Sequence, residues 1–248
     1  MPWRGEKDPY KVLVSEVMLQ QTQVSRVLVK YRVFLKTFPD FKALSEAKLS
    51  EVLKAWSGLG YNRRGKFLWQ LARIIIVDYK GKLPNDPTEL EKLPGIGKGT
   101  AGSIAAFAFN LPVTFIETNI RRVYIDHFFP RRNMVYDTEL LPLIKATVDE
   151  KKPREWYYAL MDYGAMLKEV QNPNKRSAHY LKQSPFRGSQ REVRGAIIKF
   201  LTEKNRKTGK NKMIKELPFD KVKIENALQS LISEGFIKNN KGMVFLSE

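Results

Sequence analysis

The chain of 248 residues contains no cysteine. Its own side chains therefore supply no disulfide, no thiolate metal site, no ligand for an iron–sulfur cluster and no cysteine nucleophile. Histidine is almost absent: His127 and His179 lie far apart and make no zinc-binding spacing. No apolar run is long enough to cross a bilayer, no signal peptide is visible, and no basic amphipathic helix stands alone as a membrane anchor. The expected setting is intracellular, cytoplasmic or nucleoid-associated. Acidic residues are in deficit, 26 against 44 lysines and arginines, for a net charge of +18. That excess favours a polyanionic partner, nucleic acid before membrane. With 43% hydrophobic residues the chain can build a core and one or two domains.

What is present centres on Leu93-Pro-Gly-Ile-Gly-Lys-Gly-Thr100. Residues 86–93 read as a short helix with Asp86 as N-cap and Pro87 at its first position. Pro94 ends it, Gly95 and Gly97 are expected to take positive φ, and a second helix starts near Lys98. Two helices joined by a glycine turn leave backbone N–H groups of Gly95, Gly97, Lys98, Gly99 and Thr100 facing one way, which suits a phosphate. A structural helix-turn-helix without ligand is the alternative. Gly97, Gly99 and Gly102 also match G-x-G-x-x-G, but a helix and a proline precede them where a dinucleotide fold needs a strand.

LPGIGKGTAG, the upstream SEVMLQQTQV and the later E-T-N-I-R-R-V together resemble the helix-hairpin-helix DNA glycosylase superfamily. The adenine glycosylase branch is most similar, endonuclease III next. The resemblance runs from about Pro2 to Met166. It implies an all-α, two-lobed core over residues 1–189, with one lobe at about 9–115 and the other formed by 1–8 and 116–189. A cleft between them would receive a base flipped from duplex DNA.

The same resemblance assigns residues. Glu16 corresponds to the acid that protonates the departing purine, although most helix glutamates are solvated. Gln20 and Gln21 correspond to amides that probe the opened duplex. Arg4 falls near the flipped base. Tyr61, with Asn62 and Arg63 behind the Gly58–Gly60 turn, suits a wedge beside a phosphate, or a plain turn with a buried tyrosine. Asn62 stands where the adenine branch usually has a second tyrosine. Glu117 occupies the position of the family aspartate, followed by Asn119 and Arg122. A carboxylate facing the developing sugar cation at ~4 Å is worth about 4 kcal/mol at an effective dielectric of 20, on the order of a thousandfold in rate. The extra methylene requires the helix to be set back, or different chemistry. Gly99 stands where endonuclease III-like enzymes have a catalytic lysine. Lys98 is turned away by about 100° on a helix, so no Schiff base is expected. Arg63 and Arg122 are expected on backbone phosphates. The resemblance also implies a monovalent cation at the hairpin; no other cofactor is expected, because the thiolates of the family's iron–sulfur cluster are absent.

The chain elsewhere is expected to form helices over residues 9–34, 41–56, 64–79, 137–149 and 154–166. The stretch 170–189 stands where relatives carry the cysteines of an iron–sulfur loop. It is either a basic linker or a phosphate contact through Lys175, Arg176, Lys182 and Arg187. Residues 190–248 read as three helices and a two-stranded hairpin, a small winged-helix α+β domain in place of the nucleotide-hydrolase-like domain of the adenine branch. The expected function is monofunctional excision of adenine opposite guanine or 8-oxoguanine, by a monomer acting on mispaired duplex. Mismatched thymine or uracil, hypoxanthine, a non-catalytic lesion sensor and a winged-helix transcription factor are the alternatives.

Overall fold

The computed structural model describes all residues except Asn205, Arg206 and Glu248. In chain order the helices are α1 (Pro9–Leu19), α2 (Val24–Thr37), α3 (Phe41–Glu46), α4 (Leu49–Trp56), α5 (Asn62–Val77), α6 (Pro87–Glu91), α7 (Lys98–Phe109), α8 (Thr118–Phe128), α9 (Asp137–Thr147) and α10 (Pro153–Val170). A 3-10 turn at Pro173–Arg176 leads to α11 (Gln190–Lys204), β1 (Thr208–Gly209), α12 (Lys210–Glu216), α13 (Lys221–Ser233), β2 (Ile237–Asn240) and β3 (Met243–Leu246).

The chain forms two compact units: Met1–Glu16 with Leu83–Gln183, and Val17–Lys82 with Ser184–Glu248. This grouping differs from the lobes expected from sequence. The hairpin helices α6 and α7 belong with residues 116–183, not with residues 17–82. The reason is packing: Arg154 at the start of α10 donates to the carbonyls of Phe107 (2.7 Å) and Ala108 (3.1 Å) at the end of α7, and Phe115 packs on Tyr157 of α10.

In the first unit α8 lies against α10. Tyr157 is fully buried and donates to the Val113 carbonyl (2.6 Å). Of the stretch 170–189, Pro173, Asn174 and Ser177 are buried, whereas residues 181–188, with Lys182 and Arg187, are exposed. Val135 N–H donates to the Arg176 carbonyl and Ala178 N–H to that of Val135, while Arg176 pairs with Asp126 at 3.5 Å and donates to the Pro130 carbonyl. Arg176 is thereby committed to the protein rather than presented to phosphate.

In the second unit, Phe34 and Trp56 meet edge to face at 5.9 Å, and α11 packs on both α4 and α13. The expected helix over 41–56 is two, interrupted at Ala47 and Lys48, because Asp40 caps one start through the Ala43 N–H (2.8 Å) and Glu51 accepts the Lys48 N–H (2.9 Å) at the other. The tail runs helix, strand, helix, helix, hairpin, with strand order β1-β3-β2, one short strand more than the sequence pattern indicates. Lys241 and Gly242, both at positive φ, make the hairpin turn.

The expected helix over 9–34 is broken at Gln20–Gln23, where Gln21 takes φ +51°. Arg64 causes the break. Its buried guanidinium takes the last carbonyls of α1, Val17 (2.8 Å) and Met18 (2.9 Å), and then that of Gln20. Helix-end carbonyls that would otherwise be orphaned are satisfied, and the chain is free to turn.

Candidate active site

The first unit brings Glu16, Glu117, Asn119 and Arg4 together. Glu117 is the N-cap of α8: one carboxylate oxygen accepts the N–H groups of Asn119 and Ile120 (2.9 Å), and the other makes only a long contact with the Asn119 amide (3.4 Å). Burial pushes its pKa up, against those two backbone bonds and the charges of Arg122 and Arg121. A carboxylate at this helix N-terminus is also favoured by the helix dipole.

Glu16, on α1, is pushed up to about 7. Burial of the carboxyl is the main cause. A hydrogen bond from Ser103 of α7 opposes it, the charge of Glu117 adds to it, and Arg4 opposes it. Both glutamates keep part of their surface open, so the carboxyl groups are shut in without being sealed off. The N–H groups of Asn119 and Ile120 favour the charged form of Glu117 against its burial, and burial leaves Glu16 able to hold a proton near neutral pH.

Arg4 is fixed beside this pair. It makes a two-pronged contact with Asp162 of α10 (2.6 and 3.1 Å) and lies 4.2 Å over the Tyr158 ring. Tyr158 in turn stacks on Phe107 at 4.5 Å.

Asn119 accepts from Arg122 and contacts Met161 Sδ at 3.8 Å. Arg122 is 8% exposed and also donates to Asn172 (3.1 Å); burial pushes its pKa down. It is no phosphate ligand, contrary to the expectation from sequence. Its place inside the α8–α10 contact makes it a strut for Asn119.

The hairpin forms as expected up to one detail. Asp86 caps α6 through the Thr88 N–H (2.8 Å), Pro87 is its first residue, and Gly95 takes φ +79°. Gly97 does not take positive φ: it is the N-cap of α7, at φ −102° and ψ 174°. The turn is completed by Ile96 N–H on the Leu93 carbonyl (3.2 Å) instead. Gly95, Gly97 and Lys98 are at least partly open, as are Gly99 and Thr100, at the free end of α7. A β-carbon on Gly99 would lie 3.0 Å from the Ile116 carbonyl oxygen, next to Glu117. Position 99 thus points toward the site, while Lys98 is exposed.

The remaining sequence-predicted residues lie in the second unit. Gln20 and Gln21 form the turn after α1. Tyr61, at φ +46°, is the N-cap of α5, and Asn62 its first residue. Arg64 ties the two turns to each other, donating to the Gln20 and Gly60 (3.2 Å) carbonyls and to the Thr22 hydroxyl (2.8 Å). Arg63 is largely exposed and sits 3.5 Å from Glu234.

Sequence reasoning missed Ser103, Asp162, Tyr158, Asn172 and Arg64. Ser103 lies in a helix that reads as uniformly apolar. Arg64 looks like one of two adjacent surface cations, and nothing local marks which of them is buried. Among the described residues no cluster of three or more His, Asp or Glu could hold a metal ion.

Known proteins resemble the chain in sequence and in fold. The family model described as HhH-GPD superfamily base excision DNA repair protein matches residues 14–141. The chain is 40% identical over 174 residues to the adenine DNA glycosylase of Buchnera aphidicola from Baizongia pistaciae, covering 70% of this chain and 50% of that one. It is 31% identical over 257 residues to the adenine DNA glycosylase of Mycolicibacterium smegmatis, covering 96% and 87%. The solved structure of a thermostable thymine-DNA glycosylase matches with a TM-score of 0.62 at 28% identity, over 70% of this chain and 81% of that one. The chain spans about half the length of the Buchnera relatives it matches.

Proposed function

The chain belongs to the HhH-GPD superfamily of base excision DNA repair proteins, and on that premise we propose that it is a monofunctional DNA glycosylase releasing adenine mispaired with guanine or 8-oxoguanine. The observation that carries the reading is the placement of two carboxyls in the first unit, Glu117 capping the N-terminus of α8 and Glu16 on α1 within reach of its charge, with burial raising both. Protonated Glu16 delivers its proton to a ring nitrogen of the flipped purine. The bond between sugar and base breaks, and its electron pair leaves with the base. The positive charge left on the sugar faces the Glu117 oxygen that does not cap α8. Water then adds to the sugar carbon and gives up a proton, which restores protonated Glu16, leaving an abasic site. Asn119, held by Arg122, keeps Glu117 in place.

Adenine is favoured over thymine because a purine leaves with a proton on its ring nitrogen, and Glu16 is the acid built to supply one. The partner is duplex DNA, approached by a chain with net charge +18. The exposed hairpin grips phosphate through backbone N–H groups, and Tyr61, Gln20 and Gln21 enter the opened stack. A single chain holds every group named, so a monomer suffices. The hairpin carries no carboxylate between Leu93 and Thr100. Its neutral carbonyls at residues 93–97 suit a weakly held monovalent cation, which would draw the backbone toward phosphate. An iron–sulfur cluster does not fit, because the chain has no cysteine to supply its thiolate ligands. No amine faces the site at position 99, so no covalent imine forms with the sugar.

The test is single-turnover base release on a duplex panel, read as abasic sites cleaved by alkali: adenine opposite 8-oxoguanine and guanine, and thymine, uracil and hypoxanthine in mispairs. Adenine release alone supports the reading. Release of thymine or uracil instead would transfer it to a pyrimidine mismatch. Tight mismatch binding with no release would make the chain a lesion sensor. Borohydride should not trap the protein on substrate; efficient trapping would defeat the monofunctional assignment.

A further inference from the structure

The C-terminal residues from Ser184 are assigned no role by the chemistry above, yet they reach the wedge. Arg191, in the first turn of α11, donates through Nη1 to the Tyr61 hydroxyl (2.7 Å), and its guanidinium lies 5.8 Å from the centre of the Tyr61 ring. Its other nitrogen is anchored on Ser184, by the carbonyl (2.7 Å) and the hydroxyl (3.1 Å). The arginine is therefore a fixed bridge and not a mobile surface cation.

Tyr61 needs such a bridge. It sits at φ +46°, in the left-handed region that a bulky side chain rarely adopts, and it starts α5 without a side-chain cap. From the other side Arg64 holds the preceding carbonyls of Leu59 (3.3 Å) and Gly60 (3.2 Å) and faces the Tyr61 ring at 5.5 Å. Farther along α5 the C-terminal residues make a second attachment: the Lys66 ammonium donates to the Glu234 carbonyl, and the Glu234 carboxylate is held by Arg194 (2.8 and 2.9 Å). The first turns of α5 are thus gripped at two points by the tail.

From this geometry we infer that the C-terminal region acts in base opening, and that Arg191 is the positioning residue that presets Tyr61 for entry into the base stack. The inference rests on the glycosylase reading for what Tyr61 does, and on the structure alone for what holds it. A preset wedge enters the stack without first losing conformational freedom. Removing the bridge should slow opening and leave the chemistry of an already opened base unchanged.

The experiment uses the full chain and a duplex with 2-aminopurine beside an adenine–guanine mispair, whose fluorescence rises as the pair unstacks. Wild type, Arg191→Ala, Arg191→Lys, Tyr61→Phe and the Arg191→Ala/Tyr61→Phe double variant are compared, with thermal melting as a check on folding. Tyr61→Phe keeps the ring and removes only the hydroxyl that Arg191 holds. Each single variant to Ala or Phe should slow the fluorescence rise by about tenfold, the effect of one charge-assisted hydrogen bond, and the double variant should be no slower than either. Arg191→Lys keeps the charge but cannot span both anchors, and should fall between. The salt dependence of binding should not change, because the bridge faces tyrosine and not phosphate. Wild-type opening rates in Arg191→Ala, additive losses, or a salt slope reduced by about one would overturn the inference. If the wild type opens no mispair, the glycosylase reading itself falls, and this inference with it.

Discussion

A β-carbon on Gly164 would lie 2.3 Å from the carbonyl oxygen of Asn119 and 2.7 Å from its carbonyl carbon. Glycine at that position lets α10 approach the first turn of α8, and that approach sets where Glu117 and Asn119 stand. The clashing atoms are backbone, so an added methyl must displace α8 itself. Gly164→Ala should cost about 1–3 kcal/mol, measured as a lowered melting temperature. It should also slow base release by about a hundredfold through misplacement of the carboxylate. Unchanged release in a folded Gly164→Ala variant would show that the α8–α10 contact does not position the chemistry.

Arg64 is the corresponding strut of the second unit. Its guanidinium bonds the carbonyls at the end of α1 and those of the Gly58–Gly60 turn, and burial pushes its pKa down to about 10, still far above neutral. Arg64→Met keeps much of the volume and strands those carbonyls. The expected loss is about 3 kcal/mol or more by denaturant unfolding. Hydrogen exchange should quicken around Gln20–Thr22. A loss below about 1 kcal/mol would mean that water replaces the arginine.

The raised pKa of Glu16 makes folding pH-dependent, with a definite sign. A carboxyl at about 7 in the folded chain and 4.5 when unfolded binds its proton more tightly when folded. Its contribution to stability is complete below about pH 4.5 and is lost as pH rises through 7. Glu117 is shifted the same way. Unfolding free energy should therefore fall between pH 5 and pH 8 more steeply in wild type than in Glu16→Gln, which should be the more stable of the two at pH 8. Parallel pH curves would show that Glu16 titrates normally.

Glu117 combines two roles that different substitutions separate. Glu117→Ala removes the cap on Asn119 and Ile120 and should cost about 1 kcal/mol. Glu117→Gln still offers an oxygen to those N–H groups, so melting should hardly change, while base release falls by on the order of a thousandfold. Wild-type release by Glu117→Gln would leave Glu117 as a cap and nothing more.

The parts of this molecule legible in the sequence are those dictated by the backbone. Pro87, Pro94 and Gly95 mark the hairpin because their conformations are restricted or freed wherever they occur. Glu117 announces itself as the start of a helix. The parts that are not legible depend on partners distant in the chain. The break after Leu19 is caused by Arg64, more than forty residues later. The burial of Arg122 depends on Asn172, and the grouping of the hairpin with residues 116–183 depends on where Arg154 and Tyr157 find carbonyls. Gly97 departs from its expected positive φ because its neighbour Ile96, not a second left-handed glycine, closes the turn.

Whether Glu16 is the acid is decided by single-turnover adenine release from an adenine–8-oxoguanine duplex by wild type and Glu16→Gln, followed from pH 5.5 to 8.5. The wild-type rate should fall about tenfold per unit above about pH 7, as Glu16 loses its proton. Glu16→Gln should bind the duplex equally well and release adenine at under about one hundredth of the wild-type rate at every pH. A Glu16→Gln variant that keeps the wild-type rate, or a wild-type rate that does not fall above pH 7, would contradict the assignment of Glu16 as the acid on which the proposed function is built.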